Sequence, residues 1–98
     1  MNIQKLMKQA QEMQVRLQGE LATLEVEAAV GGGMVSVAMN GHKHVLRVKI
    51  DPEVLDPQDP EMIQDLVLAA VNEASRKVDE AVQGKIGGMA GGLPGLFR

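Results

Sequence analysis

From Asn2 to about Ala22, apolar side chains return at Ile3, Leu6, Ala10, Met13 and Leu17, with Leu24 beyond and Met7 and Leu21 alongside. Steps of mostly three and four gather them into one stripe of a helix, and the near-heptad spacing suits packing against another helix. Gln4, Gln9, Gln11, Gln14 and Gln18 fill the remaining surface with good helix formers. At Thr23 the period changes to two. Leu24, Val26, Ala28 and Val30 alternate with Glu25, Glu27 and Ala29, the pattern of a strand with one solvated face.

Gly31-Gly32-Gly33 turns the chain, and Val35, Val37 and Met39 form one face of a second strand. Asn40-Gly41 predicts a two-residue type I′ hairpin turn, followed by a third strand from His42 to Ile50. Around such a turn Val35 falls opposite Leu46 and Val37 opposite His44, which puts the apolar sets of both strands on one face. Asp51-Pro52 ends the third strand, and Pro57 and Pro60 keep the next segment from entering a helix early. Asp59 is then a natural N-cap, Pro60 the first helical residue and Glu61 an acidic residue in the first turn. Met62, Ile63, Leu66, Val67, Ala70, Val71, Ala74, Val78, Ala81 and Val82 repeat at helical spacing up to Gly84, the predicted stop.

The pattern therefore predicts an α+β domain over residues 1–83, in α-β-β-β-α order, with a three-stranded antiparallel sheet and two long helices on one face. Residues 84–98 read as a flexible Gly-rich tail, with Leu93, Pro94, Leu96 and Phe97 as an apolar end suited to partner docking or disorder. Helices of about 20 residues span about 30 Å. Strands of about seven residues make a sheet roughly 23 Å long and only some 10–15 Å wide. One such sheet cannot cover both stripes, so a C2 homodimer is expected, with the overhanging helix ends as arms.

Composition narrows the chemistry. The 98 residues contain no Cys, Trp or Tyr and a single Phe. Without Cys there is no disulfide scaffold, thiol nucleophile or thiolate metal site. No apolar run approaches a membrane span and the start lacks an apolar signal core, which predicts a cytoplasmic protein. Thr23, Ser36 and Ser75 have no general base beside them in any recognisable motif, and no enzyme is expected. Gly31-Gly32-Gly33 joins strand to strand and lacks the Gly-Lys-Ser/Thr ending of a phosphate loop. His42 and His44 project from one sheet face but lack a third ligand, so neither a metal nor a cofactor is assigned.

Net charge is −3, yet the charges are segmented. Lys5, Lys8 and Arg16 face only Glu12 between Met1 and Gln18, and six carboxylates with no base lie between Asp51 and Asp65. Lys5, Lys8 and Arg16 fall close to one helix face, where each can neutralise a phosphate or simply keep the helix soluble. Lys43, Arg47 and Lys49 are placed together on the outward face of the third strand, within reach of Glu25 or Glu27. The lack of Trp and Tyr disfavours single-stranded nucleic acid, whose bases stack on such rings.

Several segments carry a resemblance. Met7-Lys8-Gln9-Ala10-Gln11-Glu12-Met13-Gln14, Gly31-Gly32-Gly33-Met34-Val35, Asn40-Gly41 and Val48-Lys49-Ile50-Asp51-Pro52 occur in order, followed by Asp59-Pro60-Glu61-Met62, Ala69-Ala70-Val71-Asn72-Glu73-Ala74 and Gly91-Gly92-Leu93-Pro94-Gly95-Leu96. Together they resemble the YbaB/EbfC family of small bacterial nucleoid-associated proteins. The resemblance implies a tweezer-shaped homodimer that binds double-stranded DNA with limited sequence preference, located at the nucleoid, and helps organise the chromosome or regulate expression. It places DNA contact on the projecting helices, at Lys5, Lys8 and Arg16 in the first and at Arg76 and Lys77 in the second. Ser36 stands where the family is often basic, and Ala28-Ala29-Val30 is more apolar than usual. The competing reading is a protein–protein adaptor for DNA repair or recombination factors; a third, a small metal-dependent module, rests only on His42 and His44.

Overall fold

The computed structural model describes residues 2–90. Helix α1 spans Ile3–Thr23, and Asn2 caps it: its Oδ1 accepts from the amides of Gln4 at 3.0 Å and Lys5 at 3.3 Å. Strands β1 (Glu25–Val30), β2 (Val35–Asn40) and β3 (Val45–Ile50) follow, then a short 3-10 turn at Pro52–Val54 and helix α2 (Pro60–Ala90). The strands form one antiparallel sheet in the order β1-β2-β3. Gly31, Gly32 and Gly33 all have positive φ, which explains the run of glycines between β1 and β2. The α+β class, the element order and the Asp59 cap, which accepts from Met62 N at 3.3 Å, stand as the periodicity predicts.

The core lies between the sheet and α2. Ala28, Val35, Val37 and Met39 meet Ala70, Ala74 and Val78, all buried. Ala70, Ala74 and Val78 are four apart and form one helix face; two of the three are alanine, which lets the helix approach the sheet closely. Helix α2 lies over β1 and β2 rather than over β3. Val45, Leu46 and Val48 on β3 therefore remain about half exposed. No polar or charged side chain is buried among the described residues.

Three expectations are corrected. The β2–β3 connection is not a two-residue type I′ turn: neither Asn40 nor Gly41 has positive φ, and the left-handed residue is Lys43, at φ +64°. Residues 41–44 form a wider loop, because Asn40 Oδ1 accepts from the amides of both His42 and His44, at 2.9 and 3.0 Å. The register consequently differs. Val35 pairs with Ile50 and Val37 with Val48, and a bulge between Ala38 and Met39 leaves Leu46 as the extra residue between Arg47 and Val45. Moving β3 by four residues is an even step, so the apolar faces still coincide. Lys43 and both histidines lie in the loop, outside the strand.

The second correction concerns Gly84, which lies inside α2; the helix continues to Ala90. Gly84 alone weakens a helix by only about 1 kcal/mol, too little to stop one already carried by a packed face. The helix also passes through Gly87 and Gly88 before it ends. The apolar end at Leu93 to Phe97 lies outside the described residues. Third, α1 does not lie along the sheet. Leu17, Leu21 and Leu24 are half-buried, but every residue from Ile3 to Arg16 is exposed. The chain is elongated, 68 × 24 × 16 Å.

Candidate nucleic-acid interface

At 100° per residue, Lys5 and Arg16 lie within about 20° of each other around α1, and Lys8 about 60° away. The apolar stripe is centred roughly 135° from these cations on the same projection. One side of α1 thus carries the three cations, with Glu12 and Val15 among them, and the other side is apolar. Along the axis the three cations cover about 16 Å. All three are exposed, and none forms an ion pair with another described residue. Glu12 is the sole acid among them, and the positive end of the helix dipole lies beside Lys5. A row of unpaired cations on a solvated arm can follow a polyanion backbone.

Arg76 and Lys77 are differently placed. The Arg76 guanidinium is clamped by the carboxylates of Glu73 and Glu80, one turn to either side; its Nε donates to Glu73 Oε1 and Oε2 at 3.2 and 3.1 Å. The hydrogen bond to Glu73 raises the guanidinium pKa, and the same bond holds the Glu73 carboxyl below the usual carboxylate range. This cluster of one cation and two carboxylates carries a net negative charge. The Nζ of Lys77 donates to the backbone carbonyl of Glu27 at 2.9 Å, on the outer edge of β1. Of the five residues singled out in the helices, the structure groups Lys5, Lys8 and Arg16 and engages the other two within the fold. Glu73 and Glu80, at three and four positions from Arg76, could have been read from the sequence as its partners. The partner of Lys77 is a main-chain atom fifty positions away and leaves no sequence signal.

On the sheet, Arg47 pairs with Glu25 at 2.6 Å, the cross-sheet pairing expected from the pattern, and this bond raises the Arg47 pKa. The pair reaches across β2 beside Ala38. A shallow cavity of about 400 Å³ lies here, lined by Glu27, Ser36, Ala38, Arg47, Val48 and Lys49. Its walls carry both signs of charge, which suits phosphate less well than α1. Lys43 pairs with Asp79 at 2.8 Å. The His42 and His44 rings are 6.1 Å apart and tilted, and no group of three or more metal-ligating side chains is assembled among the described residues. No helix of the described residues is long and apolar enough to cross a membrane.

The chain is similar to known proteins over almost its whole length. A nucleoid-associated protein of Acetivibrio thermocellus is 55% identical over 102 residues, covering 98% of this chain and 90% of that one. Another from Chloroflexus aurantiacus is 48% identical, covering 99% of this chain and all of its own. Koribacter versatilis has a nucleoid-associated protein 51% identical, with 97% and 96% covered. The crystal structure of an uncharacterized Helicobacter pylori protein superposes with a TM-score of 0.76 at 25% identity, over 91% of this chain and 97% of that one. The profile of the YbaB/EbfC DNA-binding family matches residues 1–93. On fold, on identity and on the span matched, this chain belongs to the YbaB/EbfC family of DNA-binding, nucleoid-associated proteins.

Proposed function

We propose that the chain works at the nucleoid as a homodimer that binds double-stranded DNA with limited sequence preference, through phosphate contacts from Lys5, Lys8 and Arg16, and so helps organise the chromosome or regulate expression. The observation that carries this reading is the two-sided surface of α1. Its cations are unpaired and solvated, whereas Arg76 and Lys77 are held by carboxylates and a main-chain carbonyl. Ile3, Leu6, Met7 and Met13 on the opposite side, together with Val45, Leu46 and Val48 on β3, are exposed in a single chain. A second copy that buries them presents the three cations twice. The family favours this reading over an adaptor for repair or recombination factors.

A salt-titrated gel shift with duplex DNA tests it. Each phosphate contact contributes a slope of roughly −0.9 in log affinity against log salt, so six contacts give a slope of about −5. Lys5→Ala, Lys8→Ala and Arg16→Ala together should remove most of that slope and most of the affinity. Binding that survives the triple substitution with its slope intact sinks the proposal.

A further inference from the structure

The loop between β2 and β3 touches both helices. The amide of Gly41 donates to the carbonyls of Leu21 at 2.9 Å and Leu24 at 3.1 Å. It thereby satisfies an acceptor in the last turn of α1, where carbonyls lose their intrahelical partners. The approach is close: a Cβ on Gly41 would lie 2.5 Å from Leu21 O and 2.8 Å from Leu21 Cα. Since Gly41 has no positive φ, space and not backbone conformation requires glycine here. Two residues on, Lys43 takes φ +64°, a region that a side chain with a Cβ rarely adopts. Glycine would sit there at lower cost, but only a long cationic side chain reaches α2, and Lys43 Nζ lies 2.8 Å from Asp79 Oδ1. The loop between these two contacts is itself held by four hydrogen bonds with Asn40: His42 N and His44 N donate to its Oδ1, Lys43 N to its carbonyl at 2.9 Å, and its own amide donates to His44 O at 3.0 Å.

Helix α1 has little other attachment. Its contact with the sheet is slight and falls on β2, and its half-buried side ends at Leu17. We infer that residues 40–44 form a junction that sets the direction of α1 relative to α2, with Gly41 and Lys43 as its positioning residues. Gly41 fixes where α1 leaves the sheet, and Lys43 ties the same loop to α2. Lys5 is sixteen residues from Leu21, a lever of about 24 Å, so a displacement of about 1 Å at Leu21 becomes several ångströms at Lys5. The consequence for DNA rests on the reading of α1 as the phosphate-binding arm; the junction itself does not.

The chain has no cysteine, so spin labels can be placed at Gln9→Cys on α1 and Asn72→Cys on α2, with labelled chain diluted in excess unlabelled chain. Pulsed electron spin resonance then gives the distance between them without DNA. Gly41→Ala should move the mean distance by about 3 Å or more, on the lever above. Lys43→Gly should broaden the distribution, and Lys43→Arg should restore the parent width. If Gly41→Ala does not fold by circular dichroism, the Lys43 pair decides. Distributions that superimpose on the parent's in the folded variants overturn the junction. Gel shifts on the same proteins separate the two readings: a displaced arm should weaken DNA binding several-fold. An arm that moves with no change in affinity or salt slope counts against α1 as the DNA arm and leaves the junction standing.

Discussion

The Nζ of Lys77 donates to the carbonyl oxygen of Glu27 at 2.9 Å and so ties α2 to the outer edge of β1. A cation on an open strand edge blocks pairing with another chain, and here it also satisfies an edge acceptor. The opposite edge, β3, has apolar residues and no helix over it. Lys77→Met keeps the apolar stem and removes the bond. It should lower stability by about 1 kcal/mol in urea unfolding, as for one hydrogen bond, and leave the salt slope of DNA binding unchanged. A slope that falls by about 0.9 would instead assign Lys77 a phosphate contact.

Glu73 responds to pH through Arg76. Its folded carboxyl titrates below the ordinary value of 4.5 because Arg76 donates to the ionised form. The contribution to stability is therefore complete above pH 4.5 and is lost as pH falls through the lower folded value. In a carbon-detected NMR titration, Glu73 should show a midpoint below that of the same carboxyl in Arg76→Gln. Coincident midpoints would show that the clamp does not form in solution.

Ala74 is fully buried against the sheet, and its small size sets how near α2 can come. Ala74→Leu should cost about 2 kcal/mol by overpacking, seen as a lower urea midpoint at unchanged m-value. Gly19, by contrast, has nothing near the position its Cβ would take, so Gly19→Ala should raise the midpoint through helix propensity, by up to about 1 kcal/mol. A neutral Ala74→Leu would mean that the helix is less closely seated than the burial implies.

Leu6 and Met13 are exposed on the apolar side of α1. On the proposed homodimer, changing both to Asp should leave the fold intact and shift the protein from dimer to monomer by light scattering. DNA affinity should fall with it, since each monomer carries half the phosphate contacts. A double variant that remains dimeric places the seam elsewhere, with Val45 and Val48 on β3 the next residues to change.

Periodicity alone determined the order of elements and the apolar faces of the strands, because helix and strand repeat burial at different intervals along the chain. It also placed Lys5, Lys8 and Arg16 on one side of α1, since their spacing on a helix is a matter of geometry. What only the tertiary structure decided were the contacts made across long separations. The four-residue shift of β3 came from Asn40 gripping two amides of the loop, which a two-residue turn signal does not encode. The continuation of α2 past Gly84 reflects a helix already supported by its packed face, against which one glycine counts little. Lys77 found its partner on β1, and Gly41 found the end of α1, through folding rather than through proximity in sequence. The bond from Lys77 to Glu27 is of this long-range kind, whereas Arg76 is paired by neighbours at helical spacing, which the sequence did contain.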